Sequence, residues 1–199
     1  MWYEPDMVNI KTTPGWVIWF VGLPGSGKST YARAVFKVLQ MEKVDVRYLS
    51  MDERRKTYIP VPEYTEKERI SAYRSFVEEA AQIAYHGKNV IMDGTAHRLS
   101  MRKQMRQLIP RFAEIFVRCS LETAMQRERN RPEGTVMADL YEKALNRKET
   151  GNQIEGLGEV IGVDTVFEEN PSAECIIDSD LESINQGRDK VLAFLDRWR

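Results

Sequence analysis

One run of residues carries the strongest chemical signal in the chain: Gly22, Leu23, Pro24, Gly25, Ser26, Gly27, Lys28, Ser29 and Thr30. It reads G-x-x-x-x-G-K-[ST], the pattern of a loop that cradles phosphates, the P-loop. Glycines let the backbone turn so that successive N–H groups point inward at phosphate oxygens. A helix starting directly behind the loop adds its partial positive charge. In such a loop Lys28 reaches the β- and γ-phosphates of ATP, and the Ser29 hydroxyl binds Mg²⁺. An ordinary glycine-rich strand-to-helix turn is the plain alternative.

Two acids extend the set. Asp52 follows an alternating segment at 44–50 and is read as the base for an acceptor hydroxyl or as a holder of a Mg²⁺-bound water. Its weight as a site residue comes from the expectation that this strand neighbours the P-loop strand; a helix N-cap is the alternative. Asp93 closes the apolar run Val90-Ile91-Met92, and an apolar strand ending in Asp is the arrangement in which a carboxylate holds Mg²⁺ or its water. Lys28, Ser29, Asp52 and Asp93 are thus the candidate phosphate and metal residues. His97 and Arg98 follow at the same edge. Arg127, Arg129 and Arg131 stand at alternate positions before Pro132 and Gly134. They read as a mobile cationic lid that neutralises the transferring phosphoryl group and excludes water. A solvated, charge-balanced helix end is the alternative.

These residues need elements to position them. Apolar or alternating runs predict strands at 15–21, 44–50, 88–93, 112–119 and 173–178. Helical spacing predicts helices at 31–39, 65–86, 100–108, 121–128, 138–148 and 181–198. Thr65 and Glu68 form a predicted capping box, and Gly87 a helix stop. Pro60 and Pro62 place 56–64 in a loop, and 150–171 reads as a long, glycine-spaced loop. Strands alternate with helices, which predicts an α/β, three-layer P-loop NTPase fold with a five-stranded, mainly parallel sheet and the Arg-rich lid. The candidate residues all fall after strand C-termini, where such sheets bind ligands. Residues 1–14 read as an N-terminal extension and 15–199 as one kinase domain.

Bulk properties narrow the classes. The chain has 199 residues and a formal net charge of −1, which makes no electrostatic case for nucleic acid or an anionic membrane. No apolar stretch is long enough to span a bilayer, and the acidic start has no signal-peptide pattern. Cys119 and Cys175 sit in or beside apolar runs and form no metal-ligand pattern. They read as free thiols in a reducing compartment, so the expected location is cytoplasmic. Neither Asn-Lys-x-Asp nor Asp-x-x-Gly occurs, which argues against a guanine-specific switch protein. A short chain with its own arginine-rich segment fits a small-molecule kinase using ATP and Mg²⁺.

The chain resembles the adenylylsulfate kinase family over roughly 15–180. Its P-loop is similar to that family's. Leu49-Ser50-Met51-Asp52-Glu53-Arg54-Arg55 lies where the family has L-D-G-D-N-V-R. The resemblance makes Asp52 the base and Mg²⁺-site residue and Arg55 a holder of the sulfonucleotide. Tyr64-Thr65-Glu66-Lys67-Glu68-Arg69 resembles F-[ST]-x-x-D-R, so Tyr64 and Arg69 would face the acceptor. Leu140-Tyr141-Glu142-Lys143-Ala144 resembles L-Y-x-K-A, and 162–171 resembles G-I-D-x-P-Y-E-x-P. Departures cluster on the acceptor side. Ser50-Met51 replaces Asp-Gly, Ala72 replaces Asn, Gly94-Thr95-Ala96-His97-Arg98 replaces I-S-P-Y-R, Glu133 replaces the lid Lys, and Val160 or Ile161 replaces an adenine-stacking Phe. The family implies transfer of the ATP γ-phosphate to a hydroxyl of a small anionic nucleotide-like acceptor, adenylylsulfate first. Arg131 is the lid arginine expected to assist, and a homodimer the implied assembly. A kinase for another nucleotide-linked metabolite, sugar nucleotide or antibiotic, and a non-catalytic nucleotide-binding module, are the alternatives.

Overall fold

The computed structural model describes residues 13–60, 65–130 and 139–199. The first strand, β1 (Val17–Val21), leads through the glycine loop into α1 (Lys28–Met41). Then come β2 (Val46–Ser50), α2 (Met51–Tyr58) and α3 (Glu66–Tyr85). Next are β3 (Asn89–Asp93), α4 (Leu99–Leu108), β4 (Phe112–Arg118) and α5 (Leu121–Arg129). The chain ends with α6 (Leu140–Thr150), β5 (Cys175–Asp178) and α7 (Ile184–Trp198). All strand pairs are parallel, in the order β2-β3-β1-β4-β5.

Strand β1 lies at the centre, and all its residues are buried. Alternate side chains feed two cores, as the two-residue period of a strand requires. Val17, Trp19 and Val21 pack against Tyr73, Phe76 and Ala80 of α3 and Met105 of α4. Ile18 and Phe20 face Tyr31, Val35 and Leu39 of α1 and Val191 and Leu195 of α7. Helices on both faces make the three layers, and the parallel strands put every C-terminus on one edge.

Two expectations are corrected. Strand β2 does not adjoin β1, because β3 lies between them. The register nevertheless sets Ser50 opposite Asp93, so the segment after β2 still meets the site. Residues 51–58 are helical, where charged residues and then a loop were expected. Helix α2 has almost no apolar periodicity; only Met51 is buried. It is held by Asp52 and Glu53 in its first turn, Arg55 and Lys56 in its last, and side chains that grip α3. The Tyr58 hydroxyl donates to Glu79, and Arg54 lies 2.6 Å from the same carboxylate. Such tertiary support leaves no trace in a hydropathy pattern.

Candidate active site

The phosphate loop leaves β1 at Gly22 and enters α1 at Lys28. Gly25 has φ +80°, and a Cβ there would stand 2.3 Å from the Ala124 carbonyl oxygen of α5. Only glycine fits that approach. Gly27 caps α1 in the left-handed conformation, which sets Lys28 and Ser29 in the first turn with their N–H groups free of helical partners. Lys28 Nζ folds back 3.4 Å from the Leu23 carbonyl oxygen.

Asp93, at the end of β3, is 4% exposed. The Tyr48 hydroxyl donates to its Oδ2 at 2.7 Å, while Oδ1 is buried without a hydrogen-bond partner among the described residues. Burial raises the carboxyl's pKa, and the nearby Lys28 charge and the Tyr48 hydrogen bond pull the other way. A buried carboxylate oxygen left open beside Ser29 suits a divalent cation or its water. Among the described residues no group of three or more His, Cys, Asp and Glu could cage a metal by itself. Mg²⁺ takes few protein ligands and keeps water and phosphate oxygens.

Beside the loop opens a cleft of about 500 Å³. Asp52 lines it from the first turn of α2, and Arg55 from the next turn. Arg55 lies 3.6 Å from Glu68, whose N–H donates to the Thr65 hydroxyl at the start of α3. Arg69 also lines the cleft; it is 8% exposed and donates to the Glu159 carbonyl. Burial, and then the like charge of Arg55, lower its pKa. A buried guanidinium, Arg69, and a half-buried one, Arg55, both line the cleft and suit an anion. His97 is 1% exposed, with Nε2 3.6 Å from Glu66 Oε2. Burial lowers its pKa, against the pull of Glu66. The imidazole therefore enters the cleft wall as a neutral group.

Arg98 is not among the residues that line the cleft. Its side chain is 45% exposed and lies 2.6 Å from Glu66. Arg127 and Arg129 belong to α5; Arg129 is exposed, 3.4 Å from Glu142, and Arg127 is fastened to the P-loop. Arg131 and Tyr64 lie outside the described residues. Cys119 and Cys175 are free, and burial pushes both thiols up to about 11, so neither is a ready nucleophile.

Sequence reasoning missed several members. Tyr48 sits on the same face of β2 as Ser50, but its reach to Asp93 needs the β2–β3 register. Glu66 reads in the sequence only as an acid at the start of a helix, yet it meets both His97 and Arg98. Tyr73 read as a core residue; it also lines the cleft, and its hydroxyl accepts from the Ala96 N–H at 2.8 Å.

Residues 14–178 match the family described as adenylylsulphate kinase. A probable adenylyl-sulfate kinase of Archaeoglobus fulgidus is 33% identical over 164 residues, covering 82% of this chain and 96% of the relative. A cytidine diphosphoramidate kinase of Campylobacter jejuni is 26% identical over 170 residues, covering 85% and 89% of the two chains. The fold matches that of the Mycobacterium tuberculosis APS kinase solved with AMPPNP and APS, with a TM-score of 0.75, 22% identity, and coverage of 92% and 98%.

Proposed function

Because the chain belongs to the adenylylsulphate kinase family, we propose that it transfers the γ-phosphate of ATP to a hydroxyl of adenylylsulfate. The observation that carries the reading is one cleft joining the P-loop edge to a carboxylate, Asp52, and an arginine pair, Arg55 and Arg69. The amides of the P-loop and Lys28 bind the β- and γ-phosphates of ATP. Ser29, Asp52 and Asp93 would hold Mg²⁺. Mg²⁺ when bound supplies charge neutralisation at the phosphate oxygens. Asp52 orients the acceptor hydroxyl and takes its proton as the new P–O bond forms. Arg55 and Arg69 hold the acceptor's anionic groups, and neutral His97 packs beside them. Tyr64 and Arg131 remain part of the proposal, as acceptor contact and transfer-assisting cation. A homodimer in the cytoplasm completes it, and sedimentation at twice the chain mass would support the assembly.

A second acceptor is favoured by one observation. Val160 and Ile161 are 2% and 6% exposed and line the cleft where the family pattern has a stacking Phe. An aliphatic wall grips a flat base less specifically than an aromatic face. With a cytidine diphosphoramidate kinase among the relatives, a pyrimidine-linked acceptor is the second reading. ADP release with ATP and Mg²⁺ should be measured with adenylylsulfate, with cytidine-linked acceptors, and with none. Turnover dependent on adenylylsulfate supports the first reading, and turnover with a cytidine-linked acceptor alone the second. ATP binding without turnover on any acceptor would replace both with a non-catalytic module.

A further inference from the structure

A peptide unit is planar and trans, so the carbonyl of one residue and the N–H of the next point in opposite directions. Whatever holds a P-loop carbonyl outward therefore aims the following N–H inward. Among the described residues, two side chains from outside the loop make such holds. Arg127, in the last turn of α5, donates from Nη1 to the Ser26 carbonyl at 3.3 Å. The same guanidinium donates to Ser179 Oγ at 2.9 Å and to the Ser179 carbonyl at 2.7 Å. On the other side of the loop, Tyr141 of α6 is 1% exposed and donates its hydroxyl to the Pro24 carbonyl at 2.8 Å. Among the described residues no carboxylate lies within 4.0 Å of Arg127. Among the described residues its hydrogen-bond acceptors are all neutral oxygens, of Ser26 and Ser179.

We propose that Arg127 is a positioning residue for the nucleotide, acting through the Ser26 carbonyl to aim the Gly27 N–H at the phosphates, with Tyr141 doing the same for Gly25 through Pro24. The inference rests on the kinase reading above. Arg127 also ties the loop to the turn after β5, so that two strand ends hold one phosphate cradle. Lysine keeps the charge at this position but cannot bridge Ser26 and Ser179 with a planar fork.

The test is direct binding of ATP with Mg²⁺ to the full chain by calorimetry, with steady-state kinetics alongside. Arg127→Met and Tyr141→Phe should each weaken ATP binding roughly tenfold, the worth of one hydrogen bond to a charged group. Arg127→Lys should fall between Arg127→Met and the unsubstituted protein. The KM for ATP should rise while the KM for the acceptor stays within about twofold, a split that mere loss of packing would not produce. Tyr141→Phe keeps the buried ring, so it remains informative if Arg127→Met does not fold. Unchanged ATP affinity in both variants overturns the inference and leaves the kinase reading intact. Failure of the unsubstituted protein to bind ATP overturns both.

Discussion

Replacing the Asp52 carboxylate by an amide keeps its size and removes its ability to take a proton. Asp52→Asn is expected to lower kcat by about 10²–10⁴, the usual worth of a general base, with ATP affinity little changed. Single-turnover phosphoryl transfer measures this, and full activity would end the assignment. His97 makes a pH prediction. Its ordinary value is 6.5, and burial lowers it in the fold, helped by Arg69 and Arg98 and opposed by Glu66 and Glu168. The unfolded chain therefore binds the proton first. The stabilisation is complete above about 6.5 and is lost as pH falls from there toward the lower folded value, by at most about 1.4 kcal/mol per pH unit. Thermal melts should show the unsubstituted protein losing Tm faster than His97→Gln as pH falls below neutrality. Parallel pH profiles would show that His97 does not titrate as described. His97 was readable as an edge residue from its place after β3, but its burial and its carboxylate partner came from the start of α3.

At the scale of elements, the P-loop is gripped from outside by α5. A Cβ on Gly25 meets a backbone oxygen, which cannot rotate away. Gly25→Ala is expected to cost about 1–3 kcal/mol in backbone strain and to abolish ATP binding, measured by urea unfolding and calorimetry. Wild-type affinity would mean that the loop yields without penalty. A second coupling joins α4 to β4. Arg102 and Glu114 are both almost fully buried, with Nη1 to Oε1 at 2.8 Å. Asn170 donates to the other Glu114 oxygen, and Arg102 also donates to the Glu168 carbonyl. The Glu168 N–H in turn donates to the His97 carbonyl at 2.8 Å. Glu114→Gln leaves a guanidinium buried without its counter-charge and should cost about 3–5 kcal/mol. Arg102→Met combined with Glu114→Gln should cost clearly less than the sum of the single losses. Simple additivity in urea unfolding would show that the pair is uncoupled. Neither residue stands out in the sequence, since a charged residue in a basic helix and one in a strand read as solvent-facing until the layers are assembled.

For the whole molecule, ligand binding and folding are linked. At one hundred times its Kd, ATP should stabilise the chain by about 2.7 kcal/mol. For a chain of this length that corresponds to a Tm rise of roughly 5–11 °C. Lys28→Ala should remove most of the rise in a thermal-shift titration. A Lys28→Ala protein stabilised as much as the unsubstituted one would place ATP outside the P-loop. The linkage is global because the loop joins the central strand to α1, and both belong to the buried core.

The order of residues along the chain determined the layered α/β plan, the P-loop between a strand and a helix, and the family. Those features rest on local patterns: a glycine spacing, a two-residue period in strands and a 3.6-residue period in helices. Asp52 and Asp93 could be named for the same reason, because each closes or follows a strand. Only the tertiary structure decided that β3 separates β1 from β2, that α2 is a helix, and that Arg127 braces the P-loop while Arg98 turns to Glu66. Each of these depends on contacts between segments far apart in sequence. Strand order follows from which crossover fills which gap, and the conformation of a short polar helix from what it packs against. Where an arginine points depends on which carbonyl or carboxylate the fold sets beside it.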